Sequence, residues 1–401
     1  MTDIDDTELE VFRAEAHDWL SANFPQSLKN RGAMMLVEGR GPTDPDYLGW
    51  KAAVAEKGWG APTWPAQFGG GGLSREKARI LLQEMSRIGA WNPIGGMGIS
   101  MFGPTLLEYG NEKQKAEHIP YITRGERRWC QGYSEPGAGS DLASLRTQAI
   151  DKGDHFLVNG QKIWTSGAHY ADWCFCLVRT DNTRKHEGIS FLMIDMRTPG
   201  VAARPIRLIS GHSPFCETFF TDVKVPKGNL LGPLNGGWTI GKRLLQFERD
   251  GQGGNTRGAS LRGGDTRSVD EIAKAYVGAD ASGRIADADL RVRIADHGMN
   301  VAAMRLTLQR MADDARSNQG PSAVTSILKN ANVRNNQDRA ELMVEIMGFQ
   351  GLGWEGDSYS KNEIDATRTW LSGKAQSIYG GSNEIQNNII AKRILGLLDH
   401  Q

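Results

Sequence analysis

The hydrophobic pattern of this chain changes period twice, near residues 128 and 236. That double switch restricts the fold more than any other feature. Before residue 128, apolar residues recur three and four apart. Leu9, Phe12, Ala16, Trp19 and Leu20 trace one face of a helix. Thr7 and Glu10 form a T-x-x-E box that predicts where this helix starts. Residues 47–57, 74–88 and 111–124 also read as helices, separated by Gly/Pro-rich loops such as GWGAPTWPAQFGGGG. From 128 onward come short runs rich in aromatic and β-branched residues: HFLVNGQKIW, DWCFCLVRT, ISFLMIDM and ETFFTDVKV. Asn159-Gly160, between two apolar runs, predicts a tight hairpin turn. After GPLNGGWTIG the helical period returns at 237–260, 265–280, 287–316, 322–348 and 382–398. The last stretch has an apolar face of Ile385, Ile389, Ile390, Ile394 and Leu395.

Helices, then strands, then helices predict an α+β protein. Its expected parts are an N-terminal helical domain (1–127), a central antiparallel β domain (128–235) and a C-terminal helical bundle (236–401). A chain of 401 residues is too long for one simple core, in agreement with this division.

Lysine plus arginine equals aspartate plus glutamate, 47 against 47, which argues against nucleic acid as the main partner. No run approaches the roughly 18 apolar residues of a membrane span. The acidic start MTDIDDTELEVFRAEAHDWL lacks the apolar core of a secretory signal, so a cytoplasmic location is expected. The four cysteines, Cys130, Cys174, Cys176 and Cys216, form no C-x-x-C pair, and reduced, buried thiols are expected rather than zinc ligands or disulfides.

The stretch CQGYSEPGAGSDLASLRTQA, 130–149, contains a turn with several backbone N–H groups and a serine hydroxyl. Such a loop can grip an electron-rich carbonyl or ring edge. It is followed by NGQKIWTSGA and, near the end of the chain, by QSIYGGSNEIQ. Together with GWGAPTWPAQFGGGGLS in the first part, these segments resemble the acyl-CoA dehydrogenases over nearly the whole chain.

The resemblance implies FAD as cofactor. It assigns FAD contacts to Gln131, Tyr133, Ser134, Gly139 and Ser140 on the loop, with Ser140 near the phosphate side or the thioester. Trp164 is expected beside the isoalloxazine, and Thr165 and Ser166 at its N5 and O4 edge. N–H donors at such a ring stabilise the negative charge of the reduced state. Ser382 and Glu384 fall where the family meets the adenosine half, although Ser382 reads equally as a helix N-cap.

Many members place their catalytic glutamate directly after the tyrosine of the IY motif. Here that position is Gly380. Isovaleryl-type and long-chain-type members supply the base from a bundle helix, and the matching stretch RLLQFERDGQGG puts Glu248 there, with Arg249 beside the substrate. The competing reading of Glu248 is an exposed helix glutamate. The implied reaction has Glu248 remove the α-proton of an acyl-CoA while hydride passes from the β-carbon to flavin N5, giving a trans-2-enoyl-CoA. The thioester carbonyl is expected at a backbone N–H near Gly380 and Gly381, and electrons are expected to leave to an electron-transfer flavoprotein. The glycine-rich run after Glu248 should loosen its helix.

The chain also departs from the family. The R-K-x-F-G motif, whose arginine reaches the neighbouring subunit's FAD pyrophosphate, is missing from YVGADASGRIADADLRVRIADHG. Ala288 and Glu345 stand where the family has glutamines. Either Arg284, Arg291 and Arg293 take over, or a different chain completes the site. Both a homo-oligomer (dimer or tetramer) and pairing with an unlike chain, as in bacterial members acting on steroid or other bulky thioesters, are open. Two other readings are a non-catalytic FAD-binding subunit and, ranked last, an oxidase of the same fold.

Overall fold

The computed structural model describes residues 6–31, 41–254, 267–316 and 324–398. By backbone contacts the chain divides into two compact units. One comprises Met1–Ile206 and Ser213–Gly263; the other comprises Arg207–His212 and Gly264–Gln401.

The first unit opens with helices α1 (Asp6–Asn23), α2 (Pro45–Glu56) and α3 (Arg75–Ile88). α1 buries Phe12, Ala16 and Leu20, the face its periodicity marks. It already includes Asp6, so Thr7 lies inside the first turn and is not the cap. Asp44 caps α2 and Ser74 caps α3, each accepting a backbone N–H. A π-helical turn, Gly98–Phe102, leads into α4 (Gly103–Tyr109), and α5 (Glu112–Thr123) begins with a capping box of Asn111 and Gln114.

The seven strands are β1 (Trp129–Gly132), β2 (Gln148–Asp151), β3 (His155–Ser166), β4 (Trp173–Arg179), β5 (Ile189–Asp195), β6 (Val201–Ile206) and β7 (Phe215–Pro226). They form one sheet in the order β1-β4-β2-β3-β7-β6, with β5 on the other edge of β4. Most pairs are antiparallel, but β1 runs parallel to β4, so the sheet is mixed. β4 is buried along its whole length. One of its faces (Trp173, Phe175, Leu177) packs into a core shared with α4 and α5. The other (Cys174, Cys176, Val178) joins Cys130 and Cys216 in a second core. All four cysteines are free thiols, as expected.

The hairpin expected at Asn159-Gly160 does not exist. Both residues lie within β3, where the ladder to β7 shifts register between Val158 and Gly160. Gly160 has φ +154°, and a Cβ there would meet the Thr147 Cα at 2.6 Å. Glycine is needed for close strand approach and a bulge, not for a turn. The turn lies one residue group earlier, where Lys152 N donates to His155 O at 2.9 Å and Gly153 takes φ +94°.

Helix α6 (Gly237–Gly254) belongs to the first unit by its contacts. Ile240 and Leu244 enter the core with Phe175, Leu177 and Phe191. The helix continues through Gly251, Gly253 and Gly254; the rest of the glycine-rich run lies outside the described residues. The second unit contains α7 (Val269–Val277), α8 (Ala288–Arg316), α9 (Val324–Met347), α10 (Lys361–Gly373) and α11 (Asn383–Ile389), the last followed by a π-turn, Ile390–Ile394. Its core gathers Ile272, Ile285, Leu290, Leu342, Met343 and Ile346. The sequence reading did not anticipate α10. Among the described residues no helix is long and apolar enough to cross a membrane.

Candidate functional site

The loop after β1 is a tight turn closed on itself: Glu135 N donates to Ala138 O at 2.9 Å and Ala138 N donates back to Glu135 O at 3.0 Å. Pro136, Gly137, Gly139 and Ser140 are left exposed at its tip. A Cβ on Gly137 or Gly139 would meet nothing within 4 Å, so the backbone there is open to a ligand. Gln131 is half-buried in β1, Tyr133 is buried and Ser134 half-buried.

Beneath the turn lies an ion pair that the sequence reading missed. The Lys162 side chain is wholly buried, and its Nζ donates to Glu135 Oε1 at 2.7 Å and to the Tyr133 carbonyl at 3.1 Å. The Glu135 carboxylate also accepts from Arg146 N at 2.7 Å and Thr147 N at 2.9 Å. Burial pushes the Glu135 pKa up, but the Lys162 charge and these donors outweigh it and hold the carboxyl below its ordinary value. The signal was present in the sequence, as one lysine in the apolar run of β3 and one glutamate in a buried turn.

β3 also carries the predicted ring-facing residues. Its ladder to β7 loses register between Lys162 and Thr165. In this bulge Trp164 adopts φ +61°, a left-handed conformation that costs a non-glycine residue about 1–2 kcal/mol. The bulge turns the indole outward, 53% exposed and edge-on to Phe215. Ser166 is half-buried. Thr165 does not share their side: its side chain is fully buried, and its Oγ1 has no hydrogen-bond partner among the described residues. The strand alternation that exposes Trp164 and Ser166 turns the residue between them inward.

Helix α6 passes beside this loop. A Cβ on Gly241 would lie 3.5 Å from the Tyr133 hydroxyl and 3.2 Å from Leu177 Cδ1. The buried stripe of α6 runs Gly237, Ile240, Gly241, Leu244. The side chains of Glu248 and Arg249 themselves lie outside the described residues.

In the second unit, Gly380 and Gly381 have φ +66° and +87°. Gln386 Nε2 donates to the Gly380 carbonyl at 3.2 Å, and the left-handed backbone at both positions favours glycine. Ser382 caps α11 through its Oγ, which accepts from Ile385 N at 3.4 Å. Glu384 is exposed beside it, its carboxyl lowered by its own backbone N–H and by Ser382. Glu363 is occupied structurally: it completes the capping box of α10 and accepts from the Tyr276 hydroxyl at 2.8 Å.

The three arginines offered for a pyrophosphate are all engaged. Arg293 Nη1 binds Glu345 Oε1 at 2.5 Å, Arg284 Nε binds Asp280 Oδ2 at 3.1 Å, and Arg291 lies 3.8 Å from the same carboxylate and donates to the Ile285 carbonyl at 2.5 Å. Among the described residues no His/Cys/Asp/Glu group could hold a metal ion.

Three family models cover the chain in sequence: the acyl-CoA dehydrogenase N-terminal domain over residues 6–126, the middle domain over 130–223 and the C-terminal domain over 235–395. Acyl-CoA dehydrogenase IpdE1 of Mycolicibacterium smegmatis is 34% identical across 97% of this chain and 98% of its own length. Acyl-CoA dehydrogenase FadE34 of Mycobacterium tuberculosis is 36% identical over 86% of this chain and 46% of that protein. Among solved structures, the Tcur3481-Tcur3483 steroid ACAD superposes with a TM-score of 0.73 at 27% identity, covering all of both chains. The ChsE4-ChsE5 complex from Mycobacterium tuberculosis gives 0.72 at 27% identity, again over the full length of both. The helix–sheet–helix order, the Tyr133–Ser140 loop beside an outward Trp164 and the matches over all three segments agree: this chain belongs to the acyl-CoA dehydrogenase family, whose members are FAD-dependent.

Proposed function

We propose that this chain removes two hydrogens from an acyl-CoA thioester to give the trans-2-enoyl-CoA, with Glu248 as the base. The observation that carries the reading is the match of all three acyl-CoA dehydrogenase domains along the chain, together with the course of α6, which passes the Tyr133 hydroxyl at Gly241. Gly380 removes the side chain that could serve as base from the other position used in the family.

The donor set suits a flavin. An open, glycine-lined turn offers backbone N–H groups, Ser134, Ser140 and Ser166 offer hydroxyls, and Trp164 offers an exposed indole face. FAD, when bound, supplies the two-electron acceptor for the β-hydrogen. Tyr133, Ser134 and the loop tip orient its ring, and Trp164 screens it from water. Glu248 accepts the α-proton and Arg249 borders the substrate. The electrons then pass to an electron-transfer flavoprotein.

The test is anaerobic mixing of the FAD-loaded protein with a panel of acyl-CoAs, including ring-bearing thioesters. Bleaching of the visible flavin band is expected for at least one substrate. Glu248→Gln should retain FAD and abolish bleaching. A wild-type protein that carries FAD yet bleaches with no thioester supports a non-catalytic subunit instead.

A second reading concerns assembly. Arg284, Arg291 and Arg293 each meet a carboxylate of their own unit, which offsets part of their charge, and a neighbouring chain is a further source of positive charge for the pyrophosphate. Phe349, Ile378, Leu395 and Leu398 of the second unit are all more than half exposed, as residues of an unfilled interface would be. The two solved relatives named above, the Tcur3481-Tcur3483 steroid ACAD and the ChsE4-ChsE5 complex, each join two differently named chains. Pairing with an unlike acyl-CoA dehydrogenase chain is therefore favoured over a homotetramer. Co-expression with candidate partner chains and measurement of FAD per assembly distinguishes the two.

A further inference from the structure

We propose that Glu135 and Lys162 are a positioning pair that locks the Tyr133–Ala138 turn to the strand segment carrying Trp164, and so sets the flavin's redox balance. This rests on the flavin reading above, not on Glu248. The geometry is specific. Two successive carbonyls of the loop are held by two successive residues of β3: Tyr133 O by Lys162 Nζ at 3.1 Å, and Ser134 O by Ile163 N at 2.9 Å. The next residue is Trp164, in its left-handed bulge. Glu135 ties the same lysine to the backbone of Arg146 and Thr147. One buried pair thus reaches the loop, the bulge and the segment that leads into β2.

A pair of this kind is a poor device for stability. The desolvation of two charges offsets most of their attraction, and an apolar pair of similar volume often serves as well. What the pair provides is registry. Lys162 spans a carboxylate and a carbonyl, and Glu135 receives three donors, so neither end can shift without leaving a buried charge unmatched. A rigid turn keeps its N–H groups aimed at the position where negative charge grows on reduction, which is worth most when no reorganisation is needed.

The experiment compares FAD-loaded wild type with Glu135→Gln and with the double variant Glu135→Gln/Lys162→Met, which removes both charges together. The double variant is expected to fold, with a thermal midpoint within a few degrees of wild type, and to bind FAD. Its reduced flavin should be bound at least tenfold less well relative to the oxidised form, lowering the midpoint potential by about 30 mV or more. kcat should fall at least tenfold with KM nearly unchanged. A second readout needs no flavin: the near-UV circular dichroism of Trp164, taken as the difference from Trp164→Phe in the FAD-free protein, should change in both variants. A wild-type potential and an unchanged Trp164 signal in Glu135→Gln and in the double variant would overturn the proposal. If either variant is unfolded while the other is not, the folded one decides. If both unfold, the pair is a stability element and the proposal is also overturned. Failure of the flavin reading would show separately, as wild-type protein that binds no FAD.

Discussion

His118 should make this protein sensitive to mild acid, and the size of the effect follows from its surroundings. It lies on α5 with its side chain fully buried, edge-on to Trp129 at 5.3 Å and Trp173 at 4.7 Å between ring centroids. Arg127 Nη1 stands 2.7 Å from Nδ1. An arginine can only donate, so Nδ1 accepts and the ring proton sits on Nε2, which has no hydrogen-bond partner among the described residues. Burial first, and the Arg127 charge second, push the imidazole from 6.5 down to about 4. A base whose folded value lies below its unfolded value is neutral in both states above pH 6.5. Below that, the unfolded chain takes up the proton and the folded one refuses it, so stability falls as pH falls towards 4. At about 1.4 kcal/mol per pH unit, the loss across the window is roughly 3 kcal/mol.

The assay is urea unfolding at intervals from neutral pH to near the lower end of that window, for wild type and for His118→Asn, whose amide oxygen can still accept from Arg127. The variant should be less stable at neutral pH by about 1–3 kcal/mol, because the ring packs against two tryptophans. Its loss on acidification should be smaller by roughly 2–3 kcal/mol, so the two curves converge as pH falls. Parallel curves through the whole window would refute the assignment.

Two further outcomes follow from other contacts. Glu84 is buried and paired with Arg13 at 3.0 Å, His17 at 3.1 Å and Arg87 at 3.5 Å; burial raises its carboxyl, but these partners outweigh it and hold it below the ordinary value. The stability it lends is present above the unfolded carboxylate value and disappears as pH falls through the folded one. Glu84→Gln should therefore cost about 2–3 kcal/mol by neutral-pH denaturation, with the difference vanishing in strong acid. At the bulge, Trp164→Gly should cost the FAD-free protein less than about 1 kcal/mol by thermal unfolding, against 3–5 for loss of a buried tryptophan, since it relieves the left-handed backbone. The same variant should lose at least tenfold in turnover.

The architecture was legible because hydrophobic period is a property of neighbours in sequence. Faces such as Phe12, Ala16, Leu20 and the continuous apolar run of WCFCLVR need no knowledge of the partner they pack against. Local rules were less even. T-x-x-E at Thr7 does not start a helix, whereas Ser360-x-x-Glu363 does, and it opens α10, which went unread although the same rule marks it. Asn159-Gly160 carries a strong turn signal, yet the turn forms at Asp151–His155, where Asp151 Oδ1 accepts from Gly153 N at 2.8 Å. The competing constraint was tertiary: β3 must cross Thr147 closely, and only glycine at 160 lets it.

At the candidate site the residue types were readable but their pairings were not. Arg293 is a free cation in the sequence, and only the packing of α8 against α9 brings it to Glu345, 52 residues away. That one contact answers two questions at once. It explains how a carboxylate is tolerated at 345, where the sequence resemblance implies a glutamine, because its charge is matched within the unit. On the flavin reading proposed above, the same pairing also lowers the charge that Arg293 can offer a pyrophosphate. The double variant Arg293→Gln/Glu345→Gln, which removes both charges of the pair together, should then leave FAD affinity unchanged if a neighbouring chain supplies the charge. If affinity instead falls tenfold or more, the arginine exchanges partners on binding and the case for an unlike chain loses its main support.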